Sequence, residues 1–158
     1  MYNHEPEGYD CPFCRIGRGL DTKVSSQDDV VYRDDDVTAF ICAGMWPNNP
    51  GHVLVIPNEH HENIYDLPPE LGTPIQRVTR EVAIAFRETY EGCEGVSTRS
   101  HNEPAGMQDV WHYHVHVFPR YPGDDLYLHR RRGSTPEERR PYAAKLREWF
   151  KHRAETRQ

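Results

Sequence analysis

The sequence predicts an α+β fold, in which one long helix crosses an antiparallel sheet of about five strands and a second helix follows near the C-terminus. Two short segments of strand character, 30–33 and 37–42, adjoin across a run of three aspartates and predict a hairpin. A third candidate strand, 52–56, follows a loop rich in proline, asparagine and glycine. A helical segment separates these strands from two more, which gives the order β-β-β-α-β-β-α.

The third strand is expected at the centre of the sheet. Residues 52–56, His-Val-Leu-Val-Ile, are almost continuously apolar, and Pro57 ends the run. Strands of this kind are usually covered on both faces. The aspartates of 34–36 and the Pro/Asn/Gly loop of 45–51 have the residue types that favour turns.

The long helix is predicted from apolar residues that recur every three to four positions. These residues are Leu71, Ile75, Val78, Val82, Ala85 and Phe86. Asp66 or Thr73 offers a cap for its start, with Pro74 tolerated in the first turn. Gly92 offers its stop.

A final strand pair and a helix complete the prediction. Strands are expected at 95–99 and through the histidine segment 112–117. Residues 135–138, Thr-Pro-Glu-Glu, match a capping box with a proline just inside the helix. An apolar stripe follows, and Pro141 is expected to bend the start of this helix.

Composition narrows the class of protein. The 158 residues suffice for one domain, and the formal net charge is −6 with a sequence pI near 5.9. This acidic balance argues against a nucleic-acid or membrane-surface binder. The sequence has no apolar run of about 18 residues, no secretory-type start and no glycine-rich phosphate loop, so a cytoplasmic location is expected.

The most informative segment is His-Tyr-His-Val-His at 112–116. On a strand, His112, His114 and His116 would line one face and the residues between them the other. A purely structural role is disfavoured, because burying an unpaired imidazole nitrogen costs about 1–3 kcal/mol. The remaining explanations of the three histidines are metal ligation, nucleophilic or acid–base chemistry, or both together.

A Cys-x-x-Cys pair, Cys11 and Cys14, lies near the N-terminus. Such a pair is typical of redox proteins after a strand, a context that this segment lacks. A zinc site instead needs two more ligands, for which His60 or His61 and His112 are candidates. The other two cysteines, Cys42 and Cys93, are predicted to be buried thiols. Basic residues at 129–132 and 139–140 are either a solvated surface or face a phosphate.

Two segments together resemble the signatures of the histidine triad superfamily. They are Gly-His-Val-Leu-Val-Ile-Pro at 51–57, and Gln108 followed by the three histidines and Val-Phe-Pro-Arg at 117–120. The resemblance extends from about Cys11 to Arg120 and implies a nucleotide hydrolase or transferase. It divides the chain into a domain at 1–125 with an N-terminal zinc-binding segment, and an arginine-rich extension and helix at 126–158 that pack on the same domain.

The resemblance implies a role for each matching residue. His114 is the nucleophile that attacks the α-phosphorus, His116 contacts the phosphate or leaving oxygen, and His52 supports the triad. Gln108 contacts the phosphate, and Asn102 lies near phosphate and ribose. In the zinc-bearing branch of the superfamily, the ligands of a structural zinc ion correspond to Cys11, Cys14, His60 and His112, which leaves His61 facing solvent or starting a helix.

Two positions depart from the pattern. Asp109 stands where many relatives have a small hydroxyl residue, and its carboxylate either repels a polyphosphate or donates a proton when its pKa is raised. The loop at 43–50 lacks the acidic residue that grips the ribose in many relatives. Asn48 or Asn49 is a candidate substitute, and Trp46 either covers the base or packs beneath the loop.

The predicted function is a purine-leaning hydrolase and homodimer. It would cleave a nucleoside 5′-monophosphate from dinucleoside polyphosphates or nucleoside phosphoramidates through a covalent nucleotidyl-histidine. The alternatives are a nucleotidyl transferase or phosphorylase, and a zinc-stabilised module that binds nucleotides without catalysis. No nucleic-acid or membrane partner is expected.

Overall fold

Five strands form one antiparallel sheet, in the order β1-β2-β4-β6-β5, in the computed structural model, which describes residues 2–156. A short ladder between β3 and β7 forms a second, two-stranded sheet. The strands are β1 Val30–Arg33, β2 Val37–Ile41, β3 Gly44–Met45, β4 Val53–Pro57, β5 Gly95–Arg99, β6 Val115–Arg120 and β7 Arg132–Gly133. The helices are α1 Pro12–Gly17, α2 Gly72–Thr89 and α3 Pro136–Thr156.

The predicted hairpin and central strand are present. Asp34 closes the turn between β1 and β2, because its Oδ1 accepts hydrogen bonds from the backbone N–H groups of Asp36 and Val37. β4 pairs with both β2 and β6, and all of its residues are buried. It includes Pro57, one residue beyond the predicted end.

The helix α2 begins differently from the prediction. A single 3-10 turn, Pro69–Leu71, runs directly into it, so neither Asp66 nor Thr73 caps its first turn. Its apolar face packs on the sheet as predicted. Gly92, at φ +75°, lies in the turn that follows the helix.

The helix α3 has the predicted capping box. The Thr135 N–H donates to Glu138 Oε2 at 2.8 Å, and the Glu138 N–H donates to Thr135 Oγ1 at 3.2 Å. The helix packs beside α2 and against β1 and β2. Its buried residues include Ala143 and Leu146.

The two faces of the sheet bury different layers. The face toward α2 and α3 carries alternate strand residues such as Val37, Val53, Val55 and Val117. The opposite face carries Phe40, Leu54 and Ile56, which pack with Phe13 and Ile16 of α1. The period-2 alternation of the strands therefore separates a helix-covered layer from the layer that contains the histidines.

The histidine segment is only partly a strand. β6 begins at Val115, so His112 and His114 lie in the irregular chain before it, which corrects the predicted strand. The alternation nevertheless holds, because Tyr113 joins the helix-side layer and His114 packs against Phe13 on the other. Among residues 2–156, no helix is long and apolar enough to cross a membrane.

Candidate functional site

His114 is buried, and its hydrogen bonding sets its tautomer. Its Nδ1 lies 2.7 Å from the His112 carbonyl oxygen, which can only accept, so Nδ1 carries the proton. The lone pair is therefore on Nε2. Burial lowers the pKa of His114 below the usual histidine range, and the bond to His112 and the Asp109 charge oppose this shift without cancelling it. His114 is thus a neutral imidazole near pH 7 with a free Nε2 electron pair.

His116 and His52 form a stacked pair beside it. His116 Nδ1 and His52 Nε2 are 3.4 Å apart, and the Phe118 ring stacks on His52 at 4.4 Å between centroids. Burial, with a smaller contribution from Arg99, lowers the pKa of His52 to about 3. Burial, followed by the charge of His114, also lowers the pKa of His116. Both rings are therefore neutral near pH 7.

Asp109 lies between His114 and an arginine of the C-terminal region. Its Oδ1 is 3.8 Å from His114 Nε2, and its Oδ2 accepts a hydrogen bond from Arg131. These three side chains and His116 line a cavity of about 160 Å³. Its remaining walls are mainly apolar and include Phe13, Phe40, Leu54 and Val110. An apolar pocket with a few charged groups at one end can receive a ring and place an anion beside His114.

Gln108 and Asn102 order the loop that precedes the histidines. The Gln108 amide donates to the Glu62 and Val110 carbonyls at 2.6 and 3.0 Å, and its oxygen accepts from the Glu103 N–H at 2.9 Å. Asn102 Oδ1 accepts from the Ile64 N–H at 2.7 Å. Neither lines the cavity at His114 in this structure, so their predicted substrate contacts stay predictions.

The residues of the 43–50 loop have structural partners. Asn49 is buried, and its amide donates to Pro119 O and Asp124 Oδ2 at 2.8 and 2.7 Å. Asn48 donates to the Asp124 carbonyl at 3.0 Å. Trp46 packs edge-on against His52 and lies beneath the loop rather than over the cavity. These contacts favour the packing interpretation of Trp46.

Four potential metal ligands converge on the same side of the sheet. Ligand atoms of Cys11, Cys14, His60 and His112 all lie within 4.8 Å of one another. Cys11 Sγ is 3.3 Å from His112 Nδ1, and Cys14 Sγ is 3.2 Å from His60 Nδ1. A tetrahedral zinc ion with Zn–S and Zn–N bonds of about 2.3 and 2.0 Å would require S···N separations of roughly 3.5 Å. The donor set and its spacing fit zinc.

The groups around this cluster also suit a metal. The remaining nitrogen of His112 faces the Pro57 carbonyl at 2.9 Å, and that of His60 faces Glu5 Oε2 at 2.8 Å. Partners of this kind orient ligating imidazoles. Burial raises the pKa of the Cys11 thiol to about 12, so a nearby cation would be needed to stabilise its thiolate.

Some residues are placed differently from the sequence predictions. His61 is mostly buried, with a side chain that is 15% exposed, so it does not face solvent. Its carbonyl accepts from the Tyr113 N–H, which draws it inward. Cys42 and Cys93 are buried thiols as predicted.

The basic cluster divides among several environments. Arg130 is exposed, Arg131 reaches Asp109, and Arg132 pairs with Glu138 at 2.7 Å. Arg139 is fully buried against Asp29 at 2.7 Å. A uniformly solvated surface is therefore wrong for this cluster.

Arg99, the last residue of β5, is a neighbour of the histidines that no sequence pattern indicated. It pairs with His116 in the strand register, and its guanidinium lies 4.7 Å from the centroid of the Phe118 ring. Strand alternation places a residue on a face, but it does not say which strand lies beside it. The alternation of the sequence alone therefore could not identify Arg99 as a neighbour of the histidines.

The chain matches the HIT domain family model over residues 23–123 and belongs to this histidine triad family. The family binds nucleotide substrates and includes hydrolases. Membership confirms the resemblance carried by the two histidine segments, and the α+β fold agrees with it.

Three relatives show how far the similarity extends. The chain is 36% identical to Protein hit of Bacillus subtilis over 111 residues, 70% of this chain and 71% of that protein. A crystal structure of a Zn-bound histidine triad family protein from Mycobacterium smegmatis superposes with a TM-score of 0.76 at 28% identity, covering 93% of this chain and 97% of that chain. Adenylylsulfatase HINT3 of Arabidopsis thaliana is 27% identical over 121 residues, 75% of this chain and 56% of that protein.

Proposed function

We propose that this protein hydrolyses nucleotides, releasing a nucleoside 5′-monophosphate from a dinucleoside polyphosphate or a nucleoside phosphoramidate. The observation that carries the proposal is the His114 tautomer. The bond from Nδ1 to the His112 carbonyl leaves the Nε2 lone pair at the wall of the cavity. An imidazole needs that free electron pair to act as a nucleophile.

The reaction proceeds in two displacements. His114 Nε2 attacks the α-phosphorus, an N–P bond forms, and the bond from phosphorus to the leaving group breaks; a polyphosphate leaves as the anion, whereas an amine takes one proton from solvent. Water then attacks the same phosphorus, the N–P bond breaks with its electron pair returning to Nε2, and a proton of the water passes to solvent, which releases the monophosphate and neutral His114. His116 lies close to His114, with ring centroids 5.0 Å apart, where it can hydrogen-bond the phosphate. His52 holds His116 in place.

The comparisons support hydrolysis at the level of the family. HINT3 is named as an adenylylsulfatase, an activity in which a nucleotide is cleaved from a leaving group. The complete set of three histidines argues against a module that only binds, because binding does not require a nucleophile.

We also propose that Cys11, Cys14, His60 and His112 hold one structural zinc ion. Four protein ligands leave no open position, so the ion would supply stability rather than catalysis. The zinc-bound Mycobacterium smegmatis structure, with a TM-score of 0.76, supports the assignment. His112 would link the two sites, since its ring faces the cluster while its carbonyl fixes the tautomer of His114.

The catalytic proposal is tested with His114→Asn, in which the side chain cannot form the covalent intermediate. Diadenosine tetraphosphate and an adenosine phosphoramidate are supplied separately, and products are separated by chromatography. The variant should lose activity by about a thousandfold or more while keeping the parent thermal unfolding profile. His152→Asn, at an exposed position on α3, is the matched control.

Other outcomes identify the alternatives. Parent-like turnover by His114→Asn would rule out the covalent route. Incorporation of added orthophosphate into a new nucleotide would identify a phosphorylase. Tight AMP binding without cleavage of either substrate by the parent protein would identify a binding module.

We further propose that two copies of the chain associate through β5 and α2. β5 is an edge strand that pairs only with β6 in the sheet of residues 2–156, and an open edge favours pairing with another chain. Beside it, Ala83, Ile84 and Val96 line a shallow surface depression. Sedimentation analysis should give twice the chain mass of 18.5 kDa. Arg87→Glu on this surface should shift the protein toward the monomer, whereas an unchanged mass would reject the interface.

A further inference from the structure

The C-terminal strap, residues 130–134, contributes Arg131 to the wall of the histidine cavity. β7 within it pairs with β3, and Ser134 fixes its end by donating to the Ala43 carbonyl from N and Oγ at 2.9 and 2.7 Å. Arg131 passes over Gly44, where a Cβ would approach its Cδ to 3.0 Å. The strap therefore holds the Arg131 side chain in one direction, toward the cavity.

The Asp109 carboxylate lies close to the nitrogen that a substrate phosphoryl group must approach. A phosphorus atom poised for attack lies about 3–3.5 Å from the nucleophilic nitrogen. Asp109 Oδ1 already lies 3.8 Å from His114 Nε2, and Arg131 binds the other oxygen of the same carboxylate. Two anions repel each other at such a distance, so a phosphate at His114 would compete with Asp109 for Arg131.

Arg99 provides a second cation beside this site, opposite His116 in the strand register, without a carboxylate partner among residues 2–156. Its Nε is buried and has no hydrogen-bond partner within the described chain. Its guanidinium is held over Phe118 and, at 5.1 Å, over Trp46. Arg99 is half-buried, and an anionic ligand is a group that could accept a hydrogen bond from its unpartnered Nε.

The cavity is thus lined by Arg131 and one carboxylate, Asp109, while Arg99 lies beside its wall residue His116. We propose that Arg131 and Arg99 bind the phosphate chain of the leaving group, with Asp109 as the internal anion that it displaces. This inference rests on the proposed function and deepens it. The site would then select nucleotides whose leaving group is a polyphosphate over those whose leaving group is a neutral amine.

Kinetics with the two substrate types test the selection. Arg131→Gln and Arg99→Gln should each lower kcat/KM for diadenosine tetraphosphate by about 10- to 100-fold, because each removes a charged hydrogen bond. The same variants should lower kcat/KM for an adenosine phosphoramidate of a neutral amine by less than about threefold. Arg130→Gln, next along the strap and exposed, is the matched control and should alter neither value. Equal losses on both substrates would overturn the proposal.

Binding separates this inference from the catalytic proposal. Calorimetry measures the affinity of the protein for ATP and for AMP. The ratio of these two affinities within one variant does not depend on what fraction of that variant is folded. Arg131→Gln should reduce the ratio by about tenfold, and Asp109→Asn should strengthen ATP binding because the competing anion is gone. An unchanged ratio in Arg131→Gln, or weaker ATP binding in Asp109→Asn, would contradict the inference. A parent protein that cleaves neither substrate would defeat the catalytic proposal alone.

Discussion

A single backbone carbonyl determines the chemical state of His114. The His112 carbonyl accepts a hydrogen bond from Nδ1 of His114, which keeps the lone pair on Nε2. The local chain supplies it because His112 and His114 lie before the start of β6, where the His112 oxygen is not committed to the strand ladder. The irregular backbone thus sets the tautomer on which the catalytic proposal rests.

His52 makes the fold sensitive to acid. Its pKa is about 3 when folded, against about 6.5 for an unfolded histidine, so the unfolded state binds more protons below pH 6.5. The contribution of His52 to the free energy of unfolding is therefore fully present above that pH and is lost as the pH falls. Between about pH 7.5 and pH 4.5 this residue should remove about 2 to 3 kcal/mol from the free energy of unfolding.

The variant His52→Gln tests this linkage. Urea denaturation at both pH values should show a loss of stability in the variant that is about 2 to 3 kcal/mol smaller than in the parent. His152→Gln, which removes an exposed histidine, should keep the parent difference. An identical loss in His52→Gln and parent would show that His52 does not contribute.

The helix α3 is joined to the sheet by a buried ion pair. Arg139 donates to both oxygens of Asp29 at 2.7 and 3.1 Å and to the Val24 carbonyl at 2.9 Å. Asp29 precedes β1, so this contact joins the C-terminal helix to the start of the sheet. It also positions the strap, because Arg139 donates to the Ser134 carbonyl at 2.6 Å.

Breaking this pair should be strongly destabilising. Arg139→Ala leaves a buried carboxylate without its cation, and the free energy of unfolding should fall by about 3–5 kcal/mol. Denaturant titration measures the change. Arg140→Ala, exposed on the same helix, should alter it by less than about 0.5 kcal/mol. A loss below about 1 kcal/mol for Arg139→Ala would mean that Asp29 becomes hydrated when the arginine is absent.

The four potential metal ligands come from the N-terminal region and from two later parts of the chain. α1 supplies Cys14 and is preceded by Cys11, while His60 follows β4 and His112 precedes β6. A metal at this point would therefore join three separate parts of the chain on the histidine side of the sheet. Such a link adds its binding free energy to folding stability.

Cys14→Ser tests the metal proposal. The parent should contain about one zinc per chain by elemental analysis, and the variant should contain little and melt roughly 10 °C or more lower. Cys93→Ser, which changes a buried thiol outside the cluster, should retain the metal. Equal zinc content in parent and Cys14→Ser would reject the site.

Local periodicity was enough to predict the order of the five main strands and two long helices and the alternation that places the histidines on one face, but not α1, β3 or β7. The choice of His60 over His61 as a metal ligand came from the family resemblance. The contacts of Arg131 with Asp109, of Arg99 with His116, and of Arg139 with Asp29 emerge only in the folded chain. Each of these contacts joins separate elements, and its formation depends on how strands pair and helices pack, which spacing along the chain does not encode.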